Sequence, residues 1–144
     1  MRYLLLAFVI GLSFVGDVTL AADKTDDTRN WQGTWNMVSC TWNGEPQNGN
    51  VQWIVKGDQY TIWIDHKSGL DPHTITLNSS KKQIDVFHHD TPKGTWGGSL
   101  KGIYEIKGDM LKDCYDLKGR QYPKSFEGGP GSGQVVYQFK REKQ

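Results

Sequence analysis

Beyond Asn30, apolar and polar residues alternate by two in one segment after another, and no window sustains the 3.6-residue period of an amphipathic helix. The alternation predicts strands at Gly33 to Trp42, Val51 to Lys56, Tyr60 to His66, His73 to Asn78, Gln83 to His89, Leu100 to Lys107, Met110 to Leu117 and Gln134 to Arg141. Residues two apart share a face. The inward set is therefore Trp35 and Met37, then Val51, Trp53 and Val55, then Tyr60, Ile62 and Ile64, with Ile75, Leu77, Ile84 and Val86 following. Tyr104, Ile106, Leu111, Tyr115, Val135, Tyr137 and Phe139 complete it. Lys56-Gly57-Asp58, Asn78 to Lys81 and Lys107-Gly108-Asp109 are tight-turn sequences. The connections at 42–50, 65–72, 90–99 and 118–133 are longer and rich in Gly, Pro, Asn and Asp. Tight and long connections alternate, so in an up-and-down meander every long loop gathers at one rim. The expected fold is all-β, a small barrel of about eight antiparallel strands with room for one small ligand.

The first residues read differently. Arg2 precedes an apolar run from Leu4 to Val15 that is too short to span a bilayer core of ~30 Å as a helix. Gly16, Asp17 and the small-residue exit Thr19-Leu20-Ala21 follow, the pattern of a cleaved secretory signal. The expected organisation is a signal peptide over 1–21, a polar lead over 22–30 and one barrel domain over 31–144, exported to the periplasm or the medium. The chain of 144 residues, with 17 Lys and Arg against 16 Asp and Glu, has no basic surplus that would indicate a nucleic-acid partner. Six Trp and six Tyr point to an aromatic β core.

Several motifs carry a resemblance. Trp31-Gln32-Gly33-Thr34-Trp35 contains the Gly-x-Trp that lipocalin-type barrels place at their first strand, with Arg141 as the basic residue closing the last. Further on stand Gly102-Ile103-Tyr104-Glu105-Ile106-Lys107-Gly108-Asp109, Leu111, Cys114-Tyr115, Pro123, Phe126, Pro130-Gly131-Ser132-Gly133-Gln134 and Lys140-Arg141. Together these resemble an uncharacterised lipocalin-like domain family abundant in planctomycete bacteria. The resemblance covers nearly all of the chain after the signal and implies a small β-barrel. It carries over no activity to any residue. No helical pattern follows Arg141, where lipocalins have one, and the stretch Lys81 to Trp96 with its paired histidines is not part of the family pattern.

The candidate chemistry is sparse. No Gly-x-Ser-x-Gly elbow presents a nucleophile, the acidic residues fall mainly in turns and on outward parities, and Gly128 to Gly133 lacks the Lys and helix of a phosphate loop. No enzyme activity is expected. Cys40 and Cys114 are an even pair in an exported chain, and a bridge closing about 75 residues would add roughly 4 kcal/mol. Yet their strands are not neighbours and both fall on the outward parity, which suits two separate thiols. His66, His73 and His88 share the inward parity at the long-loop rim, with His89 pointing out. Three such imidazoles could hold zinc, or one of them a haem, with Asp65, Asp71 and Asp90 near enough in sequence to orient the rings. The simpler reading is that these are polar rim residues and that no cofactor is bound. Arg141 ends the last strand beside the start of the first, which predicts a cation-π contact with Trp35 that plugs the tight-turn end.

Three functions follow as expectations. The first is a non-enzymatic module holding a small, mainly apolar molecule among Trp53, Tyr60, Ile62, Tyr104 and Tyr137. The second is a cell-envelope domain without a ligand, using Trp42, Trp63 and Trp96 to meet a protein or glycan. The third is the metal or haem protein that the histidines suggest.

Overall fold

The computed structural model of the protein describes residues 27–68, 72–88 and 98–143. The export signal expected over 1–21, most of the polar lead, His89 and Trp96 lie outside the described residues. Alternation gives strands β1 (Gly33–Trp42), β3 (Val51–Lys56), β4 (Gln59–Ile64), β6 (His73–Asn78), β7 (Gln83–Phe87), β8 (Ser99–Lys107), β9 (Met110–Asp116) and β10 (Gln134–Arg141). Two short strands, β2 (Glu45–Gln47) and β5 (Lys67–Ser68), are added at the long-loop end. The eight long strands pair antiparallel in chain order, and β10 pairs with β1 from Trp35 opposite Arg141 to Trp42 opposite Val135. The result is a closed, all-β, up-and-down barrel of eight antiparallel strands.

The tight-turn end is sealed by an element that the alternation could not reveal. A five-residue helix, α1 (Asp27–Trp31), lies across it and buries Trp31 completely. The Trp31 ring meets Tyr104 edge-on at 5.4 Å, and its backbone carbonyl accepts the Trp35 indole N–H at 2.8 Å. Asp27 is buried here as well, its carboxylate accepting the Tyr104 hydroxyl at 2.7 Å and the Lys82 ammonium. Burial alone would raise the Asp27 pKa, but the hydrogen bonds from Lys82 and Tyr104 hold it below the usual carboxylate value. The guanidinium carbon of Arg141 stands 4.0 Å from the centre of the Trp35 ring, and its N–H groups donate to the carbonyls of Gln32 and Asn30. Gly33 makes room for this plug. Its φ is +114, and a Cβ there would stand 3.3 Å from Arg141 Nη1.

At the other end the wall flares. The upper part of β1 leaves β3 after Asn36 and pairs with β2, while β4 meets β6 only at Gln59 and Tyr60 and gives its upper edge to β5. Both added strands come from two-residue hairpins with positive φ at both central positions, Asn43-Gly44 and Asp65-His66. The β3 and β4 pair therefore stands as a tongue between two splits, and Ile64, inward by parity, is 45% exposed.

The segment 117–133 packs against the outside of the barrel. The Asp116 carboxylate accepts the backbone N–H groups of Lys118, Arg120 and Gln121, and the Tyr122 hydroxyl donates to Asp85 at 2.7 Å with Lys101 over its ring. Cys114 and Val136 face outward yet are buried on this wall, where Gly128 approaches Val136 so closely that a Cβ would meet its methyl at 2.5 Å.

Candidate binding site at the barrel mouth

The lower half of the interior is packed with rings. Trp53 stacks on Tyr60 at 5.1 Å and meets Phe139 at 4.2 Å, Tyr137 at 5.4 Å and Tyr115 at 6.3 Å. Tyr115 has space because Gly102 occupies an inward position on β8, directly opposite it, where any Cβ would stand 2.5 Å from the ring. Above this layer Val51, Ile62, Leu100 and Tyr137 are only half-buried, although all four face the barrel axis. They pack against the core from the long-loop end of the barrel.

The proposed ligand residues thus divide. Ile62 and Tyr137 are half-buried toward the long-loop end, and Trp53 and Tyr60 are buried and stacked beside them. Tyr104 belongs to the opposite end, under Trp31 with its hydroxyl on Asp27.

Cys40 requires a correction. Register advances by two residues on β1 between Met37 and Ser39 for one on β10, a bulge that flips the parity of everything beyond it. Val38, at the bulge, is 57% exposed, and Cys40 turns inward opposite Tyr137. Cys114 stays on the outer face, so the two thiols are on opposite sides of the wall and both are free. Trp42 follows Cys40 onto the inner side, opposite Val135, and is 39% exposed at the rim rather than in a loop. Trp63 is half-buried on the outer face.

The histidines do not converge. His66 sits in the β4–β5 hairpin with φ 62, exposed, its ring bonded to the Asn50 amide at 2.9 Å. The strand ends at Ile64, and the turn takes His66 off the inward parity it would have had on a longer strand. His73 and His88 are together, rings 4.2 Å apart, with His73 also 5.1 Å from Tyr60. Two imidazoles without a third protein ligand fall short of a zinc centre, and no group of three or more His, Cys, Asp or Glu side chains able to hold a metal occurs among the described residues. Burial lowers the His88 pKa, and its Nε2 has no hydrogen-bond partner among the described residues.

The acidic residues hold the largest surprise. Asp113, between Leu111 and Tyr115 on β9, faces inward with 0% exposure. One carboxyl oxygen accepts the Tyr115 hydroxyl at 3.0 Å, and the other has no hydrogen-bond partner among the described residues. Burial pushes its pKa well above the usual carboxylate range, outweighing the Tyr115 hydroxyl and the Tyr137 backbone. Burial likewise raises the Tyr60, Tyr115 and Tyr137 phenols, and lifts the Cys40 thiol to about 11. The interior thus carries hydrogen-bonding acid, phenol, thiol and imidazole groups, and burial disfavours the charged forms of Asp113, the three phenols, Cys40 and His88. The inward period of β9 pointed to Asp113; the assumption that acidic residues face water hid it.

No family model matches the chain, and no curated protein matches it.

Proposed function

We propose that this protein is an exported, non-enzymatic, lipocalin-like module that takes a small, mainly apolar, uncharged molecule through the long-loop end of its barrel. The observation that supports the reading is that the apolar residues Val51, Ile62, Leu100 and Tyr137 face the axis yet stay half-buried, above a sealed and packed lower half. Apolar inner positions that the fold leaves uncovered are those a ligand would cover, at roughly 25 cal/mol per Å². The resemblance to the planctomycete lipocalin-like domains and the signal-like first residues agree with this reading. Titration with the uncharged dye Nile red tests it. A saturable fluorescence rise at one dye per chain, weakened at least about tenfold (about 1.4 kcal/mol) by Ile62→Lys, is expected. Absence of saturable binding, or equal binding by the variant, overturns it.

One observation favours a second use of the outer wall. Trp63 lies in register with the hydrogen-bonded amides of Gln52 and Asn36, 2.9 Å apart, an uncharged row suited to a neutral glycan of the envelope. Retention on glycan-coated beads, abolished by Trp63→Ala, would support that use, and unchanged retention would exclude it.

A further inference from the structure

The tight-turn end of the barrel carries an open cleft of about 700 Å³ that the reading above leaves unused. Its walls are Gln32 to Thr34 at the start of β1, Asp109 in the turn between β8 and β9, and Arg141 to Lys143 at the end of β10. Backbone hydrogen bonds fix these segments to one another, the Arg141 N–H donating to the Asp109 carbonyl and the Glu142 N–H to the Thr34 carbonyl, each at 2.8 Å. Gly33 adds no side chain to fill the space.

Two cations, Arg141 and Lys143, and two anions, Asp109 and Glu142, line the cleft, and none of them is in an ion pair among the described residues. Arg141 is the fixed charge. Its contact with the Trp35 ring and its bonds to the carbonyls of Gln32 and Asn30 hold the guanidinium in place, half-buried and with no carboxylate on it. A guanidinium has five N–H donors, so two carbonyls leave others for a ligand, and a carboxylate matches their fork. A simple anion would also meet Asp109 and Glu142, however, and a simple cation would meet Arg141 and Lys143.

We propose that this cleft takes a small zwitterion of the amino-acid or short-peptide type, its carboxylate on Arg141 and Lys143 and its ammonium on Asp109 and Glu142. A molecule with both charges is attracted at both ends, whereas either charge alone is opposed by half of the lining. The site lies at the opposite end of the barrel from the mouth and does not depend on the reading given for it.

Titration of glycylglycine, acetate and methylammonium into isotope-labelled protein, followed through the backbone amide resonances, tests this. Glycylglycine should shift the amides of Gly33, Thr34, Asp109 and Lys143 saturably, binding at least about tenfold tighter than either single ion, equivalent to about 1.4 kcal/mol. Lys143→Gln and Glu142→Gln alter exposed side chains, and each should weaken glycylglycine about threefold, the scale of one exposed ion pair. Shifts that do not saturate or that fall outside the cleft, an affinity matched by acetate or methylammonium, or variants that bind like the unaltered protein overturn the proposal. The comparison of the three probes needs only the unaltered protein, so a variant that fails to fold leaves the test intact. Nile red binding without glycylglycine binding refutes this site alone, and the reverse refutes the mouth alone.

Discussion

Gly102→Ala places a single methyl where the structure has no space for it. The new Cβ would stand 2.5 and 2.7 Å from two carbons of the Tyr115 ring and 2.9 Å from an Ile84 methyl. Both neighbours belong to strands hydrogen-bonded on either side of β8, and neither is a flexible chain end. Overpacking of this kind costs about 1–3 kcal/mol. If the Tyr115 ring moves, its bond to Asp113 is lost, adding about 0.5–1.5 kcal/mol. Against this, replacing glycine by alanine restricts the unfolded chain and returns about 0.4–1 kcal/mol. The net expectation is a loss of about 1–3 kcal/mol, read as a lower urea midpoint at an unchanged slope of about 1–3 kcal/mol per molar. Gly49→Ala is the control, since nothing lies within 4 Å of its Cβ position. In a Tyr115→Leu background the cost of Gly102→Ala should fall by about 1 kcal/mol, the coupling expected of side chains in contact. If Gly102→Ala proves as stable as Gly49→Ala, the Tyr115 ring does not occupy the place described and the packing of the aromatic interior is wrong.

Trp31→Ala should cost about 3–5 kcal/mol in thermal or urea unfolding, because the ring is fully buried against Tyr104; a loss under about 1 kcal/mol would mean that α1 does not seal the barrel. Neither thiol should react with a soluble disulfide reagent at pH 8 in the folded protein, since burial lifts Cys40 to about 11 and Cys114 to about 12, whereas both should react in urea; rapid labelling of either in the folded state would contradict their burial. The unfolded chain loses the Asp113 proton near pH 4, the folded chain only well above that, so over the interval the folded state binds more protons and stability falls as pH rises. Relative to Asp113→Asn, the unaltered protein should therefore lose up to about 1.4 kcal/mol per pH unit from about pH 4 upward, and a pH-independent difference between the two would refute the buried acid.

Much of the barrel was legible because its strands are amphipathic. Trp53, Tyr60, Ile84 and Phe139 lie inside as period-two alternation requires, and the alternation of short and long connections matches the up-and-down order that puts the long ones at one rim. The illegible parts share a physical cause, in that each breaks the period locally. The bulge at Val38 reverses parity for Cys40 and Trp42, and nothing in the alternation marks it. The Asp65-His66 turn ends a strand that the pattern would extend to His66. Asn43-Gly44 is a strong hairpin signal, yet it lies inside a stretch expected to be a long loop, and the structure shows β2 there instead. The helix α1 is too short to show a 3.6-residue period, so Trp31 gave no sign that it seals the barrel. Asp113 obeys the period but violates the expectation that charge faces water, which is why the most unusual group of the interior escaped sequence reasoning.

Native mass spectrometry of the protein purified from the cells that make it tests the central claim most directly. The account predicts a discrete mass beyond that of the chain, present at one molecule per chain, lost on denaturation, and displaced by Nile red. A bare chain that also shows no saturable dye binding would contradict it.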